Sequence, residues 1–204
     1  MWVVKLGGSL ADSDDLPNWL RCLSLQRLLV VPGGGPFAEA VRLAQRRWSF
    51  ADSAAHDMAL LGMRQYGLML VTMLRALNPA VRPWQIGEEV DLPAVWLPVP
   101  EQLADAGLPA SWEVTSDTLA AWLALQVGAT DLLLVKAGWQ HPTAPPARTQ
   151  EVAVTELWRE GLIDGAFHGL MRGAGLRCWL CGASQAARAV AGFGAPAAHF
   201  VQIR

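Results

Sequence analysis

Cysteine, histidine and net charge are all scarce in this chain. Of 204 residues only three are cysteine. That number is too small and too odd for a disulfide framework, and a reducing cytoplasm is the expected setting. Sixteen Lys and Arg stand against 18 Asp and Glu, for a net charge of −2. The balance excludes the broadly basic surface of a protein that coats nucleic acid, yet leaves room for a local basic pocket around a small anion. No apolar run approaches the ~20 residues of a membrane span. Residues 66–74 come nearest, and Arg75 ends them. No basic segment, apolar run and cleavage site open the chain, so no signal peptide is expected. The four histidines form no paired metal motif, and no Gly-x-Ser-x-Gly elbow marks a serine hydrolase. Hydrophobic residues make up 52% and charged residues 17%, which excludes disorder and suits one domain with a sizeable core.

What is present is an alternation of apolar strands and helical stretches. Strands are expected over residues 2–6, 27–31, 95–98, 132–136, 177–180 and 198–203. Helices are expected over 14–22, 37–47, 52–77 and 118–127, and a Pro/Ala-rich loop over 141–147. Continuously apolar strands between helices predict a three-layer α/β/α sandwich around a mainly parallel sheet. In the long stretch 52–77, Asp57, Arg64, Gln65, Thr72 and Arg75 share one stripe, and the remaining arc is mostly Met, Leu, Val and Ala. Such a helix lies under the sheet or forms a subunit interface, and a homo-oligomer is expected.

Two glycine-rich turns follow the first two strands: Gly7-Gly8-Ser9 and Pro32-Gly33-Gly34-Gly35-Pro36. Glycine allows a tight bend and a close approach of backbone N–H groups to a ligand. A following helix adds a favourable field for anions. Two such turns after parallel strands point to a shared crevice at the strand carboxyl ends. Neither has the P-loop spacing or the Gly-x-Gly-x-x-Gly pattern. Lys5 sits inside an apolar strand two residues before the first turn, and Lys136 ends another strand. A lysine there needs an anion or a carboxylate, unless it snorkels to water from a sheet edge. Thr115-Ser116-Asp117 suits a helix N-terminus, and Asp117 is either a helix-cap acid or the partner of one of these lysines.

Cys178 and Cys181 spell Cys-x-x-Cys, but residues i and i+3 of a strand face opposite ways, so no shared metal or redox role is expected. His56 is the best placed histidine for a substrate contact, with a buried hydrogen-bonded role as the alternative. His141, His168 and His199 are expected to be structural.

Val4-Lys5-Leu6-Gly7-Gly8-Ser9-Leu10, Pro32-Gly33-Gly34-Gly35-Pro36 and Thr115-Ser116-Asp117-Thr118-Leu119-Ala120 resemble the signature blocks of the amino acid kinase superfamily, in the family's order. Ser111-Trp112-Glu113-Val114-Thr115-Ser116-Asp117, His56 and Asp164-Gly165-Ala166-Phe167 resemble its methanopterin-pathway branch. The resemblance implies an ATP-dependent kinase that phosphorylates [5-(aminomethyl)furan-3-yl]methyl phosphate in tetrahydromethanopterin biosynthesis. The alternatives are another acceptor, a carboxylate or a nucleoside monophosphate, or a non-catalytic nucleotide- or anion-binding protein on the same scaffold.

The same resemblance implies roles residue by residue. Lys5 would stabilise the transferring phosphoryl group and Asp117 would orient it, together with a second cation supplied by Lys136 or Arg172. Gly7, Gly8 and Ser9 would line the ATP phosphates, with Lys136 on the nucleotide side. Gly33, Gly34 and Gly35 would offer N–H groups to the acceptor phosphate. His56, Ser116 and Trp112 would complete the acceptor site, with Trp112 either stacked on a furan ring or simply packed. Mg2+ would be held mainly by the nucleotide phosphates and water, with no metal-ligating residues of the protein. Residues 1–204 would form a single domain, with an acceptor-binding lobe over about 1–130 and a nucleotide-binding lobe over about 131–204. One departure stands out. Uridylate and methanopterin-pathway kinases carry a Thr-x-Val-Asp-Gly segment where this chain has Lys136-Ala137-Gly138-Trp139-Gln140-His141-Pro142, so the adenine and ribose contacts differ.

Overall fold

Strand alternation governs the molecule from its first residues. In β1 (Trp2–Leu6), Val4 and Leu6 face one side of the sheet, while Val3 and Lys5 face the other. The structure, a computed structural model, describes residues 1–139, 150–173 and 175–204. The other strands are β2 (Leu29–Pro32), β3 (Arg82–Trp84), β4 (Ala94–Trp96), β5 (Asp131–Lys136), β6 (Glu151–Val152), β7 (Arg177–Gly182) and β8 (Val201–Ile203). They form one sheet of eight strands, in the order β3-β4-β2-β1-β5-β7-β8-β6. All described pairs are parallel except β7 with β8.

Helices cover both faces. Val4, Leu6, Val30, Leu133 and Val135 pack with α1 (Leu16–Ser24), α8 (Ala186–Gly192) and the buried side of α3 (Asp52–Arg75). On the opposite face, Val3, Leu29, Val31, Leu132 and Leu134 meet α5 (Ser116–Gln126) and Phe167 of α7 (Gly165–Met171). Each fully buried aliphatic side chain contributes roughly 1.5–3 kcal/mol over an exposed one. The three-layer α/β/α architecture follows from this two-faced burial. The remaining helices are α2 (Gly35–Trp48), α4 (Pro100–Leu103), α6 (Val154–Arg159) and α9 (Pro196–His199). Among the described residues no helix is long and apolar enough to cross a membrane.

Several boundaries differ from expectation for identifiable reasons. α2 starts at Gly35 rather than 37, because Pro36, in its first turn, needs no N–H partner. The last strand begins at Val201 rather than 198, since Pro196 opens the short helix Pro196–His199 ahead of it. β3 contains Pro83 and lies at the sheet edge, where a missing donor is tolerated, so no apolar run announces it. Arg64 of α3 is half-buried and donates to the Leu97 carbonyl at 3.2 Å, which takes it out of the solvent stripe. Cys178 and Cys181 lie in the two separate cores, with burial pushing the Cys181 thiol up to about 12. The expected loop at 141–147, and His141 within it, lie outside the described residues.

Candidate active site

The strand pattern that hides Val3 also aims Lys5 at α5. Lys5 pairs across the ladder with Leu134, and Lys136 lies two residues further along β5 on the same face. The two ammonium groups therefore converge above the sheet at the carboxyl ends of β1 and β5. Asp117, in the first turn of α5, stands between them. Its Oδ1 is 2.8 Å from the Lys5 Nζ, and its Oδ2 accepts a hydrogen bond from the Lys136 Nζ. Lys5 and Asp117 are 4% and 3% exposed, so the ion pair is shielded from water.

Burial would push the Asp117 carboxyl up, but the Lys5 and Lys136 charges outweigh it and hold it below the usual carboxylate range. Burial pulls the Lys5 ammonium down to about 8, against the attraction of Asp117. A carboxylate between two cations is a poor base. The arrangement instead presents positive charge to an incoming anion.

The two glycine turns meet backbone to backbone. A Cβ on Gly8 would stand 2.3 Å from the Gly35 nitrogen, and one on Gly33 would stand 2.3 Å from the Gly8 nitrogen. Side chains at either position are excluded by this contact. The Gly7 N–H donates to the Val135 carbonyl at 3.1 Å, and the Gly33 N–H donates to the Leu6 carbonyl at 2.8 Å. Their amides are thus engaged within the sheet, and neither residue reaches the cavity wall. Gly7 was expected to line the donor phosphates and Gly33 to offer its N–H to the acceptor phosphate, whereas the structure places both amides in the sheet. Gly8, Ser9, Gly34 and Gly35 do line the cavity. The N-termini of α2 and α5 open onto it as well, each bringing donors without intrahelical partners and a positive dipole end.

The cavity has a volume of about 860 Å³ and is open to solvent, ample for a nucleotide phosphate chain and a small acceptor. His56, Ser116 and Trp112 lie on its wall. Trp112 donates through Nε1 to Gln45 at 2.6 Å, and the Arg42 guanidinium sits 4.3 Å from its ring centroid. One ring face is therefore taken by a cation–π contact rather than left free for an aromatic ligand. Arg172 is exposed and away from the wall, and Lys136 is the cation that meets Asp117.

Sequence reasoning missed Arg42 and Asp12, and gave no role to Asp164 of the Asp164-Gly165-Ala166-Phe167 block; all three line the cavity. Arg42 falls seven residues after Gly35, two helical turns along the same face of α2, and that spacing was its only signal. Among the described residues no three His, Cys, Asp or Glu side chains gather as a metal site. Asp117 is taken by two lysines.

Comparison with known proteins adds to this geometry. No family model matches the chain. The [5-(aminomethyl)furan-3-yl]methyl phosphate kinase of Methanocaldococcus jannaschii is 27% identical over 131 residues, 60% of this chain. The match spans 59% of that relative's own length. Uridylate kinase from Archaeoglobus fulgidus superposes with a TM-score of 0.66 at 14% identity, over 100% of this chain and 99% of its own. UMP kinase from Bacillus anthracis does so with a TM-score of 0.68 at 17% identity, over 100% and 95%. The fold is that of these uridylate and UMP kinases. At the strand carboxyl ends the second glycine of the first turn, the α2 N-terminus and the start of α5 come together around Lys5, Asp117 and Lys136.

Proposed function

We propose that this amino acid kinase-fold protein is an ATP-dependent phosphotransferase whose acceptor is a small phosphate monoester, [5-(aminomethyl)furan-3-yl]methyl phosphate being the first candidate. The observation that carries the reading is the Lys5–Asp117–Lys136 arrangement at the floor of the cavity, beside two glycine turns in backbone contact. Phosphoryl transfer asks mainly for positioning and charge stabilisation. Lys5 and Lys136 would offset the charge spread over the oxygens of the transferring group, while Asp117 keeps both ammonium groups in place. The α2 N-terminus, at Gly34 and Gly35, would hold the acceptor phosphate, with Arg42 on the same wall. Gly8 and Ser9 would face the donor phosphates.

Among the described residues Lys5 and Lys136 both meet the ion-paired Asp117 and no free base, which fits this acceptor class. A phosphate oxygen attacks as an anion and needs no deprotonation, whereas a hydroxyl acceptor would need a base. One oxygen–phosphorus bond forms to the acceptor and one breaks to leave ADP. The 27% identity to the aminomethyl-furan phosphate kinase supports that acceptor. Mg2+ would arrive on the nucleotide phosphates and water. Residues 1–130 would serve the acceptor, residues 131–204 the nucleotide, and the protein would work in the cytoplasm as a homo-oligomer.

The test is incubation with Mg-ATP and the furan phosphate beside UMP, acetylglutamate, aspartate and glutamate, with products followed by mass spectrometry. A diphosphate from the furan alone is the expected outcome. Transfer to UMP or to a carboxylate instead would move the protein to another acceptor. No transfer to any of them, by folded protein that still binds ATP, would favour a nucleotide-binding role.

A further inference from the structure

One carboxylate on the cavity wall is bonded far beyond the needs of its own helix. Asp164 caps α7, and that task requires a single contact, Oδ1 accepting from the Phe167 N–H at 3.1 Å. Four further donors reach the same carboxylate, and all four belong to the two residues that bracket the first turn of α5. Oδ2 accepts from the Thr115 N–H at 3.0 Å, the Thr115 hydroxyl at 2.6 Å and the Thr118 N–H at 3.2 Å. Oδ1 also accepts from the Thr118 hydroxyl. Five donors fill the roughly four lone-pair sites of a carboxylate. Asp117 lies inside this bracket, and the Thr115 hydroxyl in turn accepts from the Asp117 N–H at 3.4 Å.

We propose that Asp164 is a positioning residue for phosphoryl transfer: by gripping Thr115 and Thr118 it sets the rotation and depth of the first turn of α5, and with them the place of Asp117 between Lys5 and Lys136. The consequence for rate rests on the phosphotransferase reading. The consequence for Lys5 does not. Asp164 is also a second negative charge close to the Lys5 ammonium, which faces Asp117 from α5, Lys136 from β5 and Asp164 from the loop before α7. Asp117 and Asp164 favour the charged lysine, while burial and Lys136 oppose it.

Two variants separate the grip from the charge. Asp164→Asn keeps the size, removes the charge and turns one acceptor into a donor facing donors. Thr118→Val keeps the charge and removes one hydroxyl donor. Each is compared with the wild type by the titration of labelled Lys5 in NMR, without substrates, and by kcat and KM. Asp164→Asn is expected to lower kcat on the order of 10²-fold at little change in KM for ATP, as a misplaced catalytic group does. Its Lys5 titration, and the alkaline limb of kcat, should move to lower pH. Thr118→Val should lower kcat in the same direction and, with the Asp164 charge kept, move the Lys5 titration only through the displaced Asp117.

Wild-type kcat and an unmoved Lys5 titration in Asp164→Asn would overturn the proposal, as would a lowered Tm with both readouts unchanged. If Asp164→Asn does not fold, Thr118→Val decides, and wild-type kcat there overturns it. If the wild type transfers phosphate to no acceptor, the phosphotransferase reading fails. The Lys5 titration of Thr118→Val, where the Asp164 charge is kept, still decides the placement, a shift supporting it and its absence overturning it.

Discussion

Lys5 is an unusual lysine because it is buried to 4% exposure in a strand yet sits 2.8 Å from a carboxylate. Burial brings its ammonium down to about 8. Only the protonated form can offset phosphoryl charge, so turnover should hold below pH 8 and fall as pH rises through about 8. An ordinary lysine would sustain it to about 10. A pH profile of kcat checks this, and a flat profile to pH 10 would contradict it. Lys5→Ala should lower kcat about 10²–10³-fold, the usual effect of losing one preorganised charge-stabilising group, while nucleotide affinity changes modestly. Isothermal titration alongside steady-state kinetics separates the two. Equal loss of binding and turnover would mean that Lys5 serves binding alone. Lys5 and Asp117 were legible in the sequence because an apolar strand with one lysine, and a helix start with one aspartate, are both conspicuous. Arg42 was not, and Asp164 was legible only as part of a motif and not by its role, because what distinguishes them is contact across the fold, over 46 positions in the case of the Asp164–Thr118 pair.

At the scale of elements, the glycine turns look alike in sequence but divide their labour by position. Gly7 and Gly33 close the strand ends through their amides, and Gly8, Gly34 and Gly35 face the cavity. Nothing in a run of glycines tells which amide the sheet will claim. Gly8→Ala places a methyl 2.3 Å from a backbone nitrogen and should cost about 1–3 kcal/mol or more, as overpacking does. Calorimetry should show Tm lower by roughly 2–4 °C per kcal/mol. At the opposite end of the sheet, Asp131 is 2% exposed and accepts from Arg177 at 2.7 Å, from the Trp179 indole at 2.9 Å and from Thr130 at 2.8 Å. Burial would raise its pKa, but these donors lower it. The stabilisation is therefore present above the ordinary carboxylate range and is lost as pH falls through the lowered folded value. Asp131→Ala orphans the buried indole N–H and should cost about 1–3 kcal/mol at neutral pH. Denaturation with urea at pH 7 checks it.

For the whole molecule, the sequence carried the sheet's centre better than its margins. β1, β2, β5 and β7 are mainly apolar and buried on both faces, whereas β3 and β6 are short edge pieces of 3 and 2 residues with no run to announce them. α3 shows a similar margin. Its outer stripe mixes Met58, Leu61 and Leu68 with Gln65 and Thr72. A homo-oligomer seated on this stripe predicts at least twice the chain mass by light scattering at micromolar concentration. Leu61→Asp with Leu68→Asp should return a single-chain mass, and a wild-type monomer would contradict the prediction. The contact of Gly8 with Gly33 and Gly35 has a further consequence. The two glycine turns are welded by touching backbone, so on the proposed reading the spacing of donor and acceptor is a fixed gauge rather than a hinge. A compound that tethers a nucleotide to the acceptor should therefore bind best at one tether length, with shorter and longer bridges both losing affinity.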